Sequence, residues 1–344
     1  MTTDVWAALG AFVLSVAGGG LALLYARRTG LLDVPNQRSS HSIPTPRGGG
    51  IALVVAVLIF ALRDFTPLGQ RSAFVFFALL GAIVGLTLLG WLDDRGSIRV
   101  GIRLTIHLAC GVAAALLVNE VAPLQGSVNL AWLALWVFWT IASINIVNFM
   151  DGVDGMIAAQ GVVYGIFLFG LFPDSNLSGR FGLILAAACL GFLMWNWAPA
   201  KMFMGDVGSG PLGLFFVIGG ALALESASPA LVFLPLFPLF LDALITLLIR
   251  INRGQKVTDA HRSHLYQRLA NGGWGHAPVT ALYALAASIG ALVALSVKDA
   301  SSLAVTGAIV IYTVSMLIGW TVLHARFSDR EMRTLLPDRA SEIE

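Results

Sequence analysis

Two amides and two carboxylates recur at every third position in Asn145-Ile-Val-Asn148-Phe-Met-Asp151-Gly-Val-Asp154-Gly155, at the exit of an apolar run. Polar groups in such a place are costly and are kept for a purpose. If the helix continues that far, this spacing makes them neighbours on one face. Gly152 and Gly155 would then release the backbone into a turn able to approach a ligand. Two close carboxylates repel unless a proton or a cation intervenes, so a hard divalent ion bridging to phosphate is a natural occupant. A helix cap also uses Asn or Asp; a cap needs one such residue, not four.

Three further clusters follow apolar runs. Asp93-Asp94 closes one of them, and a helix C-terminus is the wrong place for two anions unless cations sit opposite. Met204-Gly-Asp206-Val-Gly-Ser-Gly210 opens another, with glycines that would let backbone approach phosphate and an Asp suited to bind Mg2+ directly. His261-Arg262-Ser-His264 suggests a phosphate-binding group, because tetrahedral zinc needs more ligands than this loop offers. Upstream, Arg38-Ser-Ser-His41 and Pro44-Thr-Pro-Arg47-Gly-Gly-Gly50 combine basic groups with a flexible turn that could cradle a diphosphate.

The elements that must position these groups are membrane spans. The chain is 57% hydrophobic and 12% charged, with a mean hydropathy of +0.83, far from ordinary soluble domains. Runs that fit a bilayer crossing, which takes about 20 helical residues, lie near 5–25, 49–63, 72–92, 101–118, 128–148, 155–172, 180–197, 210–224, 228–250, 277–297 and 302–325. The expected fold is an all-α integral membrane protein of about eleven transmembrane helices in one domain, residues 1–344, the second and eighth spans being the short ones. No alternation of the β-barrel type is present. Asp4 before the first run and Arg27 and Arg28 after it reverse the charge order of a secretory signal, so the run reads as a retained span. Cys110 and Cys189 both fall inside apolar runs and suggest neither a disulfide nor a metal site.

Of the 21 Lys and Arg, 17 follow odd-numbered spans or lie in the C-terminal tail. The positive-inside rule then puts the N-terminus in the periplasm and the C-terminus in the cytoplasm. Every polar cluster also follows an odd-numbered span, so the same topology gathers them into one active site built from cytoplasmic loops. Asp242 stands apart, deep in a span and about 12 Å below Arg250 at the helical rise. It reads as a partnered structural carboxylate and is left out of the catalytic set.

Together these motifs resemble the polyprenyl-phosphate N-acetylhexosamine-1-phosphate transferases, glycosyltransferase family 4. The likeness runs from about residue 33 to 268 and is carried by Asp33-x-Pro-Asn36-x-Arg-Ser-Ser-His41, Pro44 to Gly50, Asp93-Asp94, Asn145 to Gly155, Phe203 to Ser209 and Ala260 to Arg268. His-Arg-Ser-His stands where the phospho-MurNAc-pentapeptide transferase branch carries His-x-His, so the chain looks closer to the O-antigen-initiating branch. The resemblance implies a multi-pass protein of the bacterial inner membrane that uses Mg2+, or Mn2+ in its place. It also implies a UDP-sugar donor and undecaprenyl phosphate as acceptor, with membrane lipid around it, no nucleic acid, and room for a homodimer. The product would be an undecaprenyl-diphosphate-sugar that initiates lipopolysaccharide O-antigen or a related envelope glycan, with UMP released.

On that likeness Asp206 is the first metal ligand, and Asp93, Asp94, Asp151 and Asp154 share metal, base and nucleotide roles, Asp94 being the second metal ligand. Arg47, Asn148, His261, Arg262 and His264 would contact the donor. A transporter and a lipid-binding scaffold stay open as alternatives. The first would place its charges near the midplane on broken helices, and the second explains basic loops but not paired aspartates.

Overall fold

The structure, a computed structural model, describes residues 2–35, 43–65, 70–122, 129–171, 176–225, 227–256 and 262–335. Every apolar run forms helix. In chain order these are α1 (Thr2–Thr29), α2 (Ile51–Phe65), α3 (Gln70–Asp93), α4 (Val100–Val121), α5 (Leu130–Met150), α6 (Met156–Leu171), α7 (Leu177–Asn196), α8 (Asp206–Ala223), α9 (Pro229–Val232), α10 (Phe237–Asn252), α11 (Leu265–Leu269), α12 (His276–Val297) and α13 (Ser302–Leu335). A 3-10 turn, Leu234–Leu236, joins α9 to α10, and a π turn, Ala270–Trp274, joins α11 to α12.

Among the described residues nine helices are long and apolar enough to cross a membrane, counting the 3-10 turn and α10 as one helix, Leu234–Asn252, while α2 and α6 are apolar but shorter. The eighth run, expected to be short, makes the full-length α8; the sixth makes the short α6. Local chemistry sets several ends. Asn129 Oδ1 accepts from the Trp132 amide at 3.1 Å and Asn176 Oδ1 from the Gly179 amide at 2.8 Å, satisfying orphan donors at the starts of α5 and α7.

α8 is the hub, almost wholly buried, and packs against α2, α3, α4, α5, α6 and α7. α13 is the opposite case, with most of its described side chains exposed along the flank of the bundle. The loops after α1, α3, α5 and α7, together with α11, meet at one end of the bundle.

One departure from an all-helical reading lies there. A two-strand antiparallel ladder, β1 (Leu32–Asp33) and β2 (Thr45–Pro46), closes the loop after α1. The ladder continues as a backbone clamp: the Phe203 amide donates to Pro46 at 2.8 Å, and the Gly49 and Gly50 amides donate to Phe203 and Met204 at 3.0 and 2.9 Å. The clamp seats Arg47 beside the start of α8. Both cysteines are buried free thiols.

Candidate active site

Asp93 and Asp94 close α3 with opposite surroundings. Asp94 is buried, pairs with Arg47, and accepts from the amides of Asp206 at 3.0 Å and Val207 at 3.3 Å. It therefore caps α8 from another helix, since Gly205 at the N-cap has no side chain to do so. Gly205 has φ +73° and a Cβ there would sit 2.5 Å from Asp94 Oδ2, so conformation and space both require glycine.

Asp93 accepts from the Ile98 amide at 3.0 Å and pairs with Arg103 on α4. Cations thus do sit opposite the two anions at this helix end. Asp206, the first residue of α8, is brought close to Asp93. Both line a cavity of about 50 Å³, together with Asn145, Asn148, Arg103 and His107. Two carboxyls facing each other need a proton or a cation between them. The pair could hold a hard divalent ion that takes one or two protein carboxylates and leaves its other positions to water and phosphate.

α5 ends at Met150, so the expected continuous face breaks. Asn145 Nδ2 lies 3.2 Å from His107 Nδ1, and Asn148 faces the cavity. Asp151 is the C-cap of α5. Burial, then the negative charges of Asp206, Asp94 and Asp154, push its carboxyl well above the usual range.

Asp154 turns away. Its Oδ2 accepts from the Ala200 amide at 2.9 Å, its Oδ1 lies 2.9 Å from His276 Nδ1, and its carbonyl accepts from Thr280 at 2.7 Å. These contacts tie the loop after α5 to the loop after α7 and to α12. Asn196 reinforces the tie, accepting from the Gly155 amide and donating to Met202, both at 3.0 Å.

The glycines expected to admit a ligand instead admit protein. A Cβ on Gly152 would collide with the Tyr266 hydroxyl, and one on Gly208 would meet Gly50 Cα at 2.5 Å.

His264 is buried at the N-cap of α11, stacked on Tyr266 with centroids 5.7 Å apart. Burial holds its imidazole below the usual pKa, with Asp242 partly opposing. The neutral form is therefore favoured at physiological pH. Arg262 is exposed, and together with Arg268 it lines a different cavity from Asp93 and Asp206. His261, Asn36, Arg38 and His41 lie outside the described residues.

Asp242 anchors this loop. Its two oxygens accept from the amides of Leu265 (2.8 Å) and Tyr266 (3.2 Å), from Thr246 (3.2 Å), Tyr283 (2.7 Å) and Trp320 (3.1 Å). The carboxylate left out of the catalytic set is thus partnered on both oxygens. Arg103 was counted only as a charge on this side of the membrane, and His107, Asn196 and His276 were missed as part of this end of the bundle. The first two sit one helical turn apart in a run read as span, and that spacing was the available signal.

The model of glycosyl transferase family 4 matches residues 76–224. The decaprenyl-phosphate N-acetylglucosaminephosphotransferase of Mycolicibacterium smegmatis is 30% identical over 313 residues, covering 78% of this chain and 75% of that protein. The chain belongs to glycosyl transferase family 4. A probable undecaprenyl-phosphate N-acetylglucosaminyl 1-phosphate transferase of Bacillus subtilis is 29% identical over 80% of each chain. A phospho-N-acetylmuramoyl-pentapeptide-transferase of Streptomyces avermitilis is 31% identical over 56% of this chain and 65% of its own. Relatives of both kinds match, so membership in family 4 does not by itself select a branch. The matched segment holds Asp93, Asp94, Asn148, Asp151, Asp154 and Asp206, whereas Arg47 and the histidine loop fall outside it.

Proposed function

We propose that the protein transfers an N-acetylhexosamine 1-phosphate from a UDP-sugar to undecaprenyl phosphate in the bacterial inner membrane, releasing UMP and initiating an envelope glycan such as O-antigen. The observation that carries this reading is the meeting of Asp93 and Asp206, from the end of α3 and the start of α8, in one cavity with Asn148. The likeness to two N-acetylglucosamine phosphotransferases favours N-acetylglucosamine as the first donor to test.

In this reading the acceptor phosphate attacks the phosphorus next to the sugar, and the bond to UMP breaks. A phosphate monoester has its second pKa near 6, so it is already mostly ionised at neutral pH and needs no strong base. The harder task is bringing two anions together, which calls for preorganised positive charge. Asp93 and Asp206 would hold the Mg2+ that supplies this charge.

Arg103 and the Ile98 amide fix the Asp93 carboxyl. Arg47 and Asp94 fix the first turn of α8, and with it Asp206. Asn148 presents an amide to the cavity, able to orient donor or metal-bound water.

The test is UMP release by the purified protein in detergent with undecaprenyl phosphate, Mg2+ and a panel of UDP-N-acetylhexosamines. Release with one donor, abolished by EDTA and reduced at least about a thousandfold in Asp206→Asn, is expected for a metal-anchored phosphoryl transfer. Full turnover in that variant would sink the assignment of Asp206.

A further inference from the structure

Among the residues that line the cavity of Asp93 and Asp206, His107 on α4 and Asn145 on α5 form a pair with no part in the transfer described so far. Asn145 Nδ2 donates to the Ile141 carbonyl at 2.7 Å, which marks that atom as the amide nitrogen, because two oxygens could not bond there. The same nitrogen lies 3.2 Å from His107 Nδ1. An amide NH2 has only hydrogens to offer, so Nδ1 must present its lone pair. A neutral imidazole with Nδ1 bare carries its proton on Nε2, whereas an imidazolium would set two donors head to head. Nε2 has no hydrogen-bond partner among the described residues. Asn145 thus leaves an uncharged N–H donor unused at the cavity.

Depth bears on what this donor meets. α3 and α5 end, and α4 begins, at the same end of the bundle. His107 follows Arg103 by four residues and Asn145 precedes Asn148 by three, so the pair lies about one turn, about 5 Å, farther along the helices. Leu86, Leu89 and Ile144 line the cavity at similar distances from the helix ends and make that part apolar. The cavity, about 50 Å³, is the size of a few waters, with room for phosphate oxygens and none for a hexosamine ring.

A UDP-sugar comes from solution and meets the carboxylates first. A polyprenyl monophosphate arrives held by its tail in the lipid, so its phosphate is the anion that reaches the inner, apolar part. A neutral donor suits that phosphate. The N–H makes a strong bond to an ionised oxygen without cancelling the charge that makes the phosphate a nucleophile.

Resting on the transferase reading, we propose that His107 binds the acceptor: its Nε2–H, oriented by Asn145, donates to an oxygen of the polyprenyl monophosphate.

The first test needs no turnover. Protein labelled with 15N-histidine would be studied in proteoliposomes by solid-state NMR. The His107 lines are identified by their loss in His107→Gln or His107→Ala or, if neither folds, by through-space transfer from a labelled Asn145 amide. His107 should show a bare Nδ1 and a protonated Nε2. Undecaprenyl phosphate, with no donor present, should shift the Nε2 line saturably, and undecaprenol and UDP should not. A proton on Nδ1, or a shift with UDP and none with the lipid phosphate, would overturn the assignment.

In turnover, His107→Ala should raise the KM for undecaprenyl phosphate about tenfold to a hundredfold, the loss of one hydrogen bond to a charged group, and leave the KM for the UDP-sugar within about twofold. His107→Gln, whose amide nitrogen falls near the place of Nε2, should recover most of the acceptor KM. A donor KM that rises as far as the acceptor KM, or a Gln variant as poor as Ala, would make His107 structural and defeat the proposal. Wild type that shows the lipid-phosphate shift but releases no UMP would sink the transferase reading and keep the binding site. Turnover without that shift would do the reverse.

Discussion

α8 and α11 each begin with a residue expected to serve the reaction, Asp206 and the neighbouring His264, and each is capped by a carboxylate from another helix. The two caps are built differently. Asp94 reaches α8 from 112 positions away, pairs with a half-exposed Arg47 and accepts from two amides. Asp242 sits fully buried beneath α11 and accepts from five neutral donors. The first is an ion pair at the edge of a polar site, and the second a dry hydrogen-bond hub. One should respond to charge, the other to the loss of a single acceptor.

Asp242→Asn should have the larger effect on folding. An amide keeps the shape but offers one acceptor oxygen to donors now shared by two, leaving buried donors unmet at a cost of about 3 kcal/mol. Melting in detergent would register it, and an unchanged Tm would remove Asp242 as the anchor of α11.

Arg47→Lys is the milder test at the other cap. It keeps the charge and loses the planar fork, which should cost about 1 kcal/mol and lower UMP release through misplacement of α8. If Arg47→Lys destabilises more than Asp242→Asn, the contrast between the caps is wrong.

The smallest expected effect is the pH response of Asp151. Its folded pKa is raised by burial and by three neighbouring carboxylates, so the folded state holds a proton that the unfolded state has released. Stability contributed by that proton is present below the ordinary carboxylate pKa of about 4 and is lost as pH rises toward the raised value. Melts of cation-free protein across this range should show the decline, and Asp151→Asn should make it shallower. A stability that rises through the window in wild type but not in the variant would reverse the sign.

Much of this was legible in the sequence because two signals, hydropathy and charge, report on the same geometry. All eleven runs are helical, and the clusters after odd-numbered runs meet at one end. What stayed hidden was which of two adjacent polar residues turns inward. Asp93 and Asp94 are indistinguishable as letters, yet one opens on the cavity and the other is taken up by the amides of α8. The spacing put Asp154 on one helical face with Asn148 and Asp151, but α5 stops at Met150 and the side chain swings to Ala200 and His276. The glycines around Asp206 and Asp151 signalled close approach, and sequence could not say that the approaching group was protein. Arg103 and His107 were masked by the apolar run that carries them.

The central claim is that Asp93 and Asp206 face the reaction while Asp94 holds the scaffold, and neighbouring substitutions separate these roles most directly. UMP release and apparent Tm would be measured side by side for Asp93→Asn and Asp94→Asn. The account predicts that Asp93→Asn loses at least about a hundredfold in turnover with little change in Tm, whereas Asp94→Asn lowers the Tm and, by loosening the start of α8, costs turnover less than Asp93→Asn does. The opposite pattern, with Asp93→Asn active and Asp94→Asn stable but dead, would contradict it.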